Sequence, residues 1–227
     1  MHKTLTMQFL LKYKFFLGVM LLLSIIIMTT IYNLHQPEER LPVYQPDMID
    51  PELVDSTVVE VRKYHTIGDF ELINQNGDTI TPADYEDKIY IADFFFTTCM
   101  DICPIMTDHM LQLQDALKNN PEVLLLSHTV IPDVDDVPRL KAYALEKGVD
   151  DQKWNLVTGD KKHIYDLARK HYLAAKSNGD GGPFDMIHTE NFVLVDKKKR
   201  IRGFYDGTDP EAIEDILHDI SILQAKD

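Results

Sequence analysis

Cysteine is almost missing from this chain, with two in 227 residues. That excludes a disulfide-stapled miniprotein and a cysteine-only zinc site, both of which need more thiols. Bases are scarce as well: 23 against 37 acids, a net charge of −14, is the wrong sign for gripping nucleic acid through its phosphates. No acid occurs before Glu38, and no internal repeat or low-complexity tract is present. The 44% hydrophobic and 26% charged residues are those of an ordinary globular chain, not a disordered one. At roughly 100–200 residues per domain, there is room for one acidic globular domain behind an apolar N-terminus.

From Phe15 to Tyr32 the sequence FFLGVMLLLSIIIMTTIY carries no charge and is about long enough to cross a bilayer. Lys3, Lys12 and Lys14 precede it and Glu38 and Glu39 follow. The positive-inside rule therefore leaves residues 1–14 in the cytoplasm, makes 15–32 a single transmembrane anchor and sends the remainder across. A cleaved signal peptide is the alternative. Against it, the run exceeds a usual h-region, TTIYNLHQP offers no small-x-small cleavage site, and no cysteine follows to accept lipid. The N-terminus also lacks the Arg-rich amphipathic character of a mitochondrial transit peptide, which favours a bacterial inner membrane with the domain in the periplasm. Beyond the anchor lie all the acids and 20 of the bases, a net −17. Pro37, Pro42, Pro46 and Pro51 mark residues 33–61 as a semi-rigid spacer. Leu41, Val43, Tyr44, Leu53 and Val54 are more apolar than a bare linker requires, so part of it is expected to pack.

Residues 62–227 are periodic. Phe70–Ile73 and Thr79–Thr81 flank an Asn-Gly turn and read as a hairpin. Ile89–Phe96 (IYIADFFF) and Glu122–Thr129 read as strands buried on both faces. Apolar spacing predicts helices over 103–118, 138–147 (ended by Gly148), 160–171 and 210–223. Strands at 154–158, 191–196 and 201–205 complete an alternating pattern. That pattern is α/β, with a largely parallel sheet and an antiparallel edge from the last hairpin.

Both cysteines lie in FFFTTCMDICPIMTDHM, where a buried strand gives way to a helix. Pro104 is tolerated only in a first helical turn, so the helix must begin near 101–103. Reactive groups in open α/β sheets gather at the carboxyl ends of strands, and a helix start favours thiolate over thiol. Asp101, between the cysteines, is suited to cap the helix. Two buried hydrophobes or a static bridge remain the plain alternative. A bridge across so short a loop, however, restricts the unfolded chain little, and a reversible dithiol or a soft-metal site fits the position better.

The motif DFFFTTCMDICP (Asp93–Pro104), with MIHTENFVLVD around His188 and WNLVTG at 154–159, resembles the SCO/SenC copper chaperones, from about residue 62 to the C-terminus. The resemblance implies a thioredoxin-like three-layer sandwich with a central mostly parallel sheet and an N-terminal β-hairpin, preceded by one transmembrane helix. It also implies Cys99, Cys103 and His188 as copper ligands, and a role in assembling the copper centre of cytochrome c oxidase. Partners would be that copper-centre subunit, a copper donor protein or thiol reductant, and the membrane, with no nucleic acid. One departure is His128-Thr129-Val130-Ile131-Pro132-Asp133, where the family usually has Asp-Pro and a charged pair. Asp101, Pro104 and His128 are expected to support the ligands.

Two thiolates and an imidazole form a soft, low-coordination set suited to Cu(I), and a disulfide cannot serve as that ligand pair. The same atoms therefore hold metal or exchange electrons, never both at once. The competing function is a thiol–disulfide oxidoreductase that reduces the cysteines of the oxidase copper site. A third is an anchored binding domain with a static bridge. Enzyme activity is not implied beyond that exchange. His109 is out of phase with Cys103 on the helix, and His163, His171 and His218 read as solvated. Met100, Met106 and Met186 offer thioethers, with Met106 and Met110 better suited to the core. The run Lys197–Arg200 reads as a solvated hairpin tip. Gly179, Gly181 and Gly182 predict a mobile loop that swings His188 towards and away from the thiols.

Overall fold

The computed structural model describes residues 13–34, 40–50, 57–58, 60–61, 63–175, 179, 182 and 185–225. Lys3, Lys12, Glu38 and Glu39, the prolines at 37 and 51, Leu53, Val54 and Gly181 lie outside the described residues. Two units partition the chain, residues 1–40 and 41–227.

In the first unit, helix α1 covers Lys14–Leu34. Its 21 residues rise about 30 Å at 1.5 Å each, the thickness of a bilayer's hydrocarbon core. Thr29 and Thr30 return their hydroxyls to the Ile26 carbonyl at 2.9 and 2.7 Å, which satisfies those O–H groups without water. By length and composition this helix is a candidate membrane span.

The second unit is built on a seven-stranded mixed sheet. Its strands are β1 (Leu72–Asn74), β2 (Thr79–Ile80), β3 (Ile89–Phe95), β4 (Val123–Thr129), β5 (Trp154–Thr158), β6 (Asn191–Val195) and β7 (Ile201–Asp206). They lie in the order β2-β1-β5-β4-β3-β6-β7. The three central strands β5, β4 and β3 are parallel. Both flanks are antiparallel, because β1 pairs with β2 and β5, and β6 pairs with β3 and β7. Helices α2 (Ile102–Leu117), α3 (Val137–Lys147), α4 (Lys161–Asp166) and α5 (Glu211–Gln224) connect or follow the strands.

All seven residues of β3 are buried, and their alternation feeds two cores. Ile89, Ile91 and Phe95 pack with Met106, Met110 and Leu113 of α2, Leu140 of α3 and Ile216 of α5. Tyr90, Ala92 and Phe94 pack on the other face with Ile164, Tyr165, Leu167 and Tyr172. The local signals match: Asp136 caps α3 by accepting the Arg139 N–H at 2.9 Å, and Gly148 ends that helix at φ 84°. Asp160 caps α4 by accepting the His163 N–H at 2.8 Å, and α4 runs on into a π-helical turn, Leu167–His171. His171 is not solvated as its pattern indicated. Its Nδ1 accepts the Gly68 N–H at 3.1 Å, and a side chain at Gly68 would collide with that ring.

Residues 41–44 pack along β7. Tyr44 N–H donates to the Ile201 carbonyl at 3.0 Å, and Arg202 donates to the carbonyls of Leu41 and Pro42 at 2.7 and 2.8 Å.

Candidate metal centre

The chain leaves β3 at Phe95, turns through 96–101 and enters α2. A fully buried carboxylate fastens this turn: Asp135 accepts the Thr97 N–H at 3.0 Å, the Thr97 hydroxyl, and the Thr129 hydroxyl at 2.6 Å. Arg139 adds a bond to Thr97 Oγ1 at 2.7 Å. The aspartates after Pro132, at 133, 135 and 136, are the sequence signal for this clamp, though their spacing alone does not assign it.

Both cysteines are free thiols, Cys99 half-buried and Cys103 buried. Asp101 occupies the N-cap position of α2, yet its side chain makes no capping bond, contrary to expectation. The reason is local. Pro104, third in the helix, has no N–H to give, and the Cys99 sulfur takes the free N–H groups of Asp101, Ile102 and Cys103. Burial opposes a Cys99 thiolate, but the Cys103 thiol and these three N–H groups outweigh it and hold the Cys99 thiol below its ordinary value. Cys103 goes the other way. Burial first, then its bond to Cys99, pushes its thiol up to about 12, although its sulfur also accepts the Phe96 N–H. The pair is therefore asymmetric: Cys99 carries the first negative charge and Cys103 donates to it.

Beneath the pair lies Asp93, 2% exposed, on the face of β3 that meets α2. Burial raises its carboxyl to about 7 against the Ser127 hydroxyl bond that lowers it. Trp154 Nε1–H in turn donates to Ser127 Oγ at 2.8 Å. One carboxylate oxygen of Asp93 has no partner among the described residues. Asp93 stands in the quoted motif without an assigned role; a lone acid inside the apolar IYIADFFF run was the clue.

His188 is exposed, and its ring meets Phe96 edge-on, 6.2 Å between centroids. Phe96 thus touches both parties, its N–H on the Cys103 sulfur and its ring against the imidazole. No three His, Cys, Asp or Glu side chains among the described residues are gathered to hold a metal ion. The thiols are together, and His188 stands one aromatic ring away from them.

The swinging loop expected from the glycines meets a fixed base. Asp185 forms a buried two-pronged pair with Arg169, at 2.7 and 2.8 Å. Its carbonyl accepts from Lys161 Nζ at 2.9 Å and the Tyr165 hydroxyl at 3.1 Å. Ile187 and Thr189, on either side of His188, are buried. Asp185, three residues before His188, is thus tied to α4 and to the turn that follows it.

His128 does not support the thiols from their own side. It alternates onto the opposite face of the sheet, fully buried, stacked on Phe94 at 4.9 Å and edge-on to Tyr172 at 5.2 Å. Burial holds its imidazole down at about 4, so it is a neutral core ring. His109 faces away from Cys103, its Nδ1 bonded to the Gly207 carbonyl at 2.7 Å. Met106 and Met110 are core residues, whereas Met100 and Met186 are exposed.

A strand-to-helix thiol pair on a mixed α/β sheet defines a thioredoxin-like class of protein. The SCO1/SenC family profile matches residues 59–223. The SCO1 protein homolog of Bacillus subtilis (strain 168) is 31% identical over 153 residues, 66% of this chain and 79% of that protein. BsSco, described as a member of the Sco family of cytochrome c oxidase assembly proteins with a disulfide switch, is 28% identical. It superposes with a TM-score of 0.62 over 72% of this chain and 95% of its own. Bradyrhizobium japonicum ScoI, solved with copper bound, shares the fold at 22% identity and a TM-score of 0.54, over 68% of this chain and 99% of its own. The chain belongs to the SCO1/SenC family, and its second unit has the thioredoxin-like fold.

Proposed function

We propose that this protein is a membrane-anchored copper chaperone. It takes one copper ion, as Cu(I), between Cys99, Cys103 and His188 and passes it to the copper centre of cytochrome c oxidase. Residues 1–14 are cytoplasmic, 15–32 span a bacterial inner membrane, 33–61 form the spacer, and 62–227 work in the periplasm.

The observation that carries the reading is the pair of free thiols, Cys99 and Cys103, one turn apart where β3 gives way to α2. A soft cation replaces the shared proton and converts that pair into two thiolate ligands. The edge-on contact of Phe96 with the imidazole supports His188 as the third donor. A three-donor set leaves the ion open to a recipient's ligand, so cargo can change hands without passing through water. Family membership supplies the context of oxidase assembly.

The test is copper stoichiometry with X-ray absorption on the reduced full chain in detergent. One copper with two sulfur neighbours and one nitrogen neighbour is expected, and His188→Ala should weaken retention about tenfold or more. A wild-type chain that retains no copper after reduction refutes the chaperone.

The asymmetry of the thiols favours a second reading, a thiol–disulfide oxidoreductase acting on the oxidase cysteines: Cys99 attacks and Cys103 resolves. His188→Ala separates the two, since exchange with a disulfide substrate survives that change while copper retention falls.

A further inference from the structure

The turn between β6 and β7 carries Lys197, Lys198, Lys199 and Arg200, and Arg202 follows on β7. Beside it runs the segment bearing Lys63, joined to the turn where Ile67 N–H donates to the Lys199 carbonyl at 2.8 Å. Among the described residues, two carboxylates lie against these cations. Asp196 serves both Arg200 and Arg202, at 2.7 and 2.9 Å, and Glu122 lies 3.7 Å from Lys197. The ammonium groups of Lys63, Lys198 and Lys199 have no carboxylate partner among the described residues. A basic corner thus stands on a domain whose sequence is strongly acidic. Tyr64, next to Lys63, is 93% exposed, its backbone at φ 66°. An aromatic ring presented to solvent among cations is the side-chain pairing that settles at a headgroup layer. A cavity of about 280 Å³ opens between them, lined by Val43, Gln45, Lys63, Tyr64, His65 and Arg200.

The connection of the chain adds a second constraint. Six residues, 35–40, separate the end of α1 from Leu41, a reach of about 25 Å at most. The chain enters the folded unit at this corner, because Arg202 holds the carbonyls of Leu41 and Pro42 and Ile201 holds Tyr44. The corner is also remote from the thiols. β6 runs antiparallel to β3, with Tyr90 opposite Val195, so the turn lies at the Ile89 end while the cysteines follow Phe95. Seven residues of strand separate the two ends by about 20 Å.

We propose that this corner is a docking surface for anionic phospholipid headgroups. It seats the domain on its own membrane with the thiol loop turned away, towards partners in the aqueous space. The proposal rests on the membrane-anchored reading of α1.

The experiment uses the full chain in nanodiscs of phosphatidylcholine alone or with phosphatidylglycerol, and measures lysine acylation by mass spectrometry. Lys63, Lys198 and Lys199 should acylate about fivefold or more slowly in the anionic discs. High salt should abolish the difference, and Lys162, exposed at the other end of the sheet, should not change. Lys198→Glu with Lys199→Glu should abolish the protection of Lys63 while the chain stays in the disc. Equal rates at Lys63, Lys198 and Lys199 in both kinds of disc overturn the proposal and leave the corner to an acidic protein partner. Carbonate extraction reads the anchor separately. If the chain is stripped from the bilayer, the anchored reading fails. Docking is then decided by flotation with the same two lipid compositions: binding to the anionic vesicles alone upholds it, and binding to neither overturns it.

Discussion

Asp93→Asn offers a perturbation whose sign and size both follow from the structure. The wild-type carboxyl is 2% exposed and has an ordinary value of 3.8, which burial raises to about 7. For an acid raised on folding, the folded chain holds a proton that the unfolded chain has already lost. Stability from this group is therefore complete below about pH 4, declines as pH rises through the window to 7, and is lowest above it. A shift of three pKa units corresponds to about 4 kcal/mol across that window. Asparagine keeps the shape and the acceptor for Ser127 and removes the charge. Its amide N–H enters the place of the unpartnered oxygen and costs about 1–3 kcal/mol. The variant should therefore be more stable than wild type by about 1–3 kcal/mol near pH 8 and less stable by a similar amount near pH 4. Denaturant titration of the reduced full chain in detergent at both pH values reads the crossing. Asp93 also contributes to the raised Cys103 value, so Cys103 should alkylate at lower pH in the variant. Parallel stability curves for the two proteins, with no crossing, would refute the reasoning.

Further outcomes follow from the same geometry. With the reduced chain near neutral pH, iodoacetamide should label Cys99 about tenfold or more before Cys103, read by peptide mass spectrometry. Replacing Cys103 with alanine removes the thiol that donates to Cys99 and should slow that labelling; an unchanged rate would leave the backbone N–H groups as the whole cause. Arg169→Ala strands the Asp185 carboxylate in a buried site and should cost about 3–5 kcal/mol, with Arg169→Ala/Asp185→Ala losing less than the sum of the single changes. Additive losses in that cycle would mean that the two side chains act independently.

Much of the fold is written in local pattern. Strand β3 shows itself because six of its seven residues are apolar or aromatic around one acid, which suits a strand covered on both faces and little else. Helix α3 declares its ends through Asp136 and Gly148. The hairpin of β1 and β2 follows from Asn-Gly, with Gly77 at φ 85° and Asn74 Oδ1 accepting the N–H groups of Asn76 and Asp78. Long-range order is less legible. Nothing in the spacing of β1 says that it joins the edge of β5, with Ile73 opposite Thr158, since that pairing is fixed by tertiary packing. His128 shows the same limit. One step of alternation separates the two faces of β4, and a histidine is tolerated on either, so only the coordinates reveal its stack on Phe94.

The candidate site divides in the same way. Cys99 and Cys103 are legible because position along the chain nearly fixes position in space: a buried strand, a turn and a proline in the first helical turn leave the pair one place to go. His188 is legible only as part of a motif, because the 84 residues between Cys103 and His188 decide where its ring ends up. The glycines before it signal backbone freedom, whereas Asp185, which follows them, is held by groups remote in sequence. Arg169 lies 16 positions from Asp185, and no periodicity links a base in one helix to an acid in a later loop. With Asp185 held by three side chains and Ile187 and Thr189 buried around it, the backbone at His188 is set. Changing its distance from the sulfurs then falls to rotation of the side chain, which is exposed and meets Phe96 edge-on. A ring that turns on a fixed backbone changes its distance from the thiols without unfolding the loop. That allows the imidazole to leave while the two thiols keep their places at the start of α2.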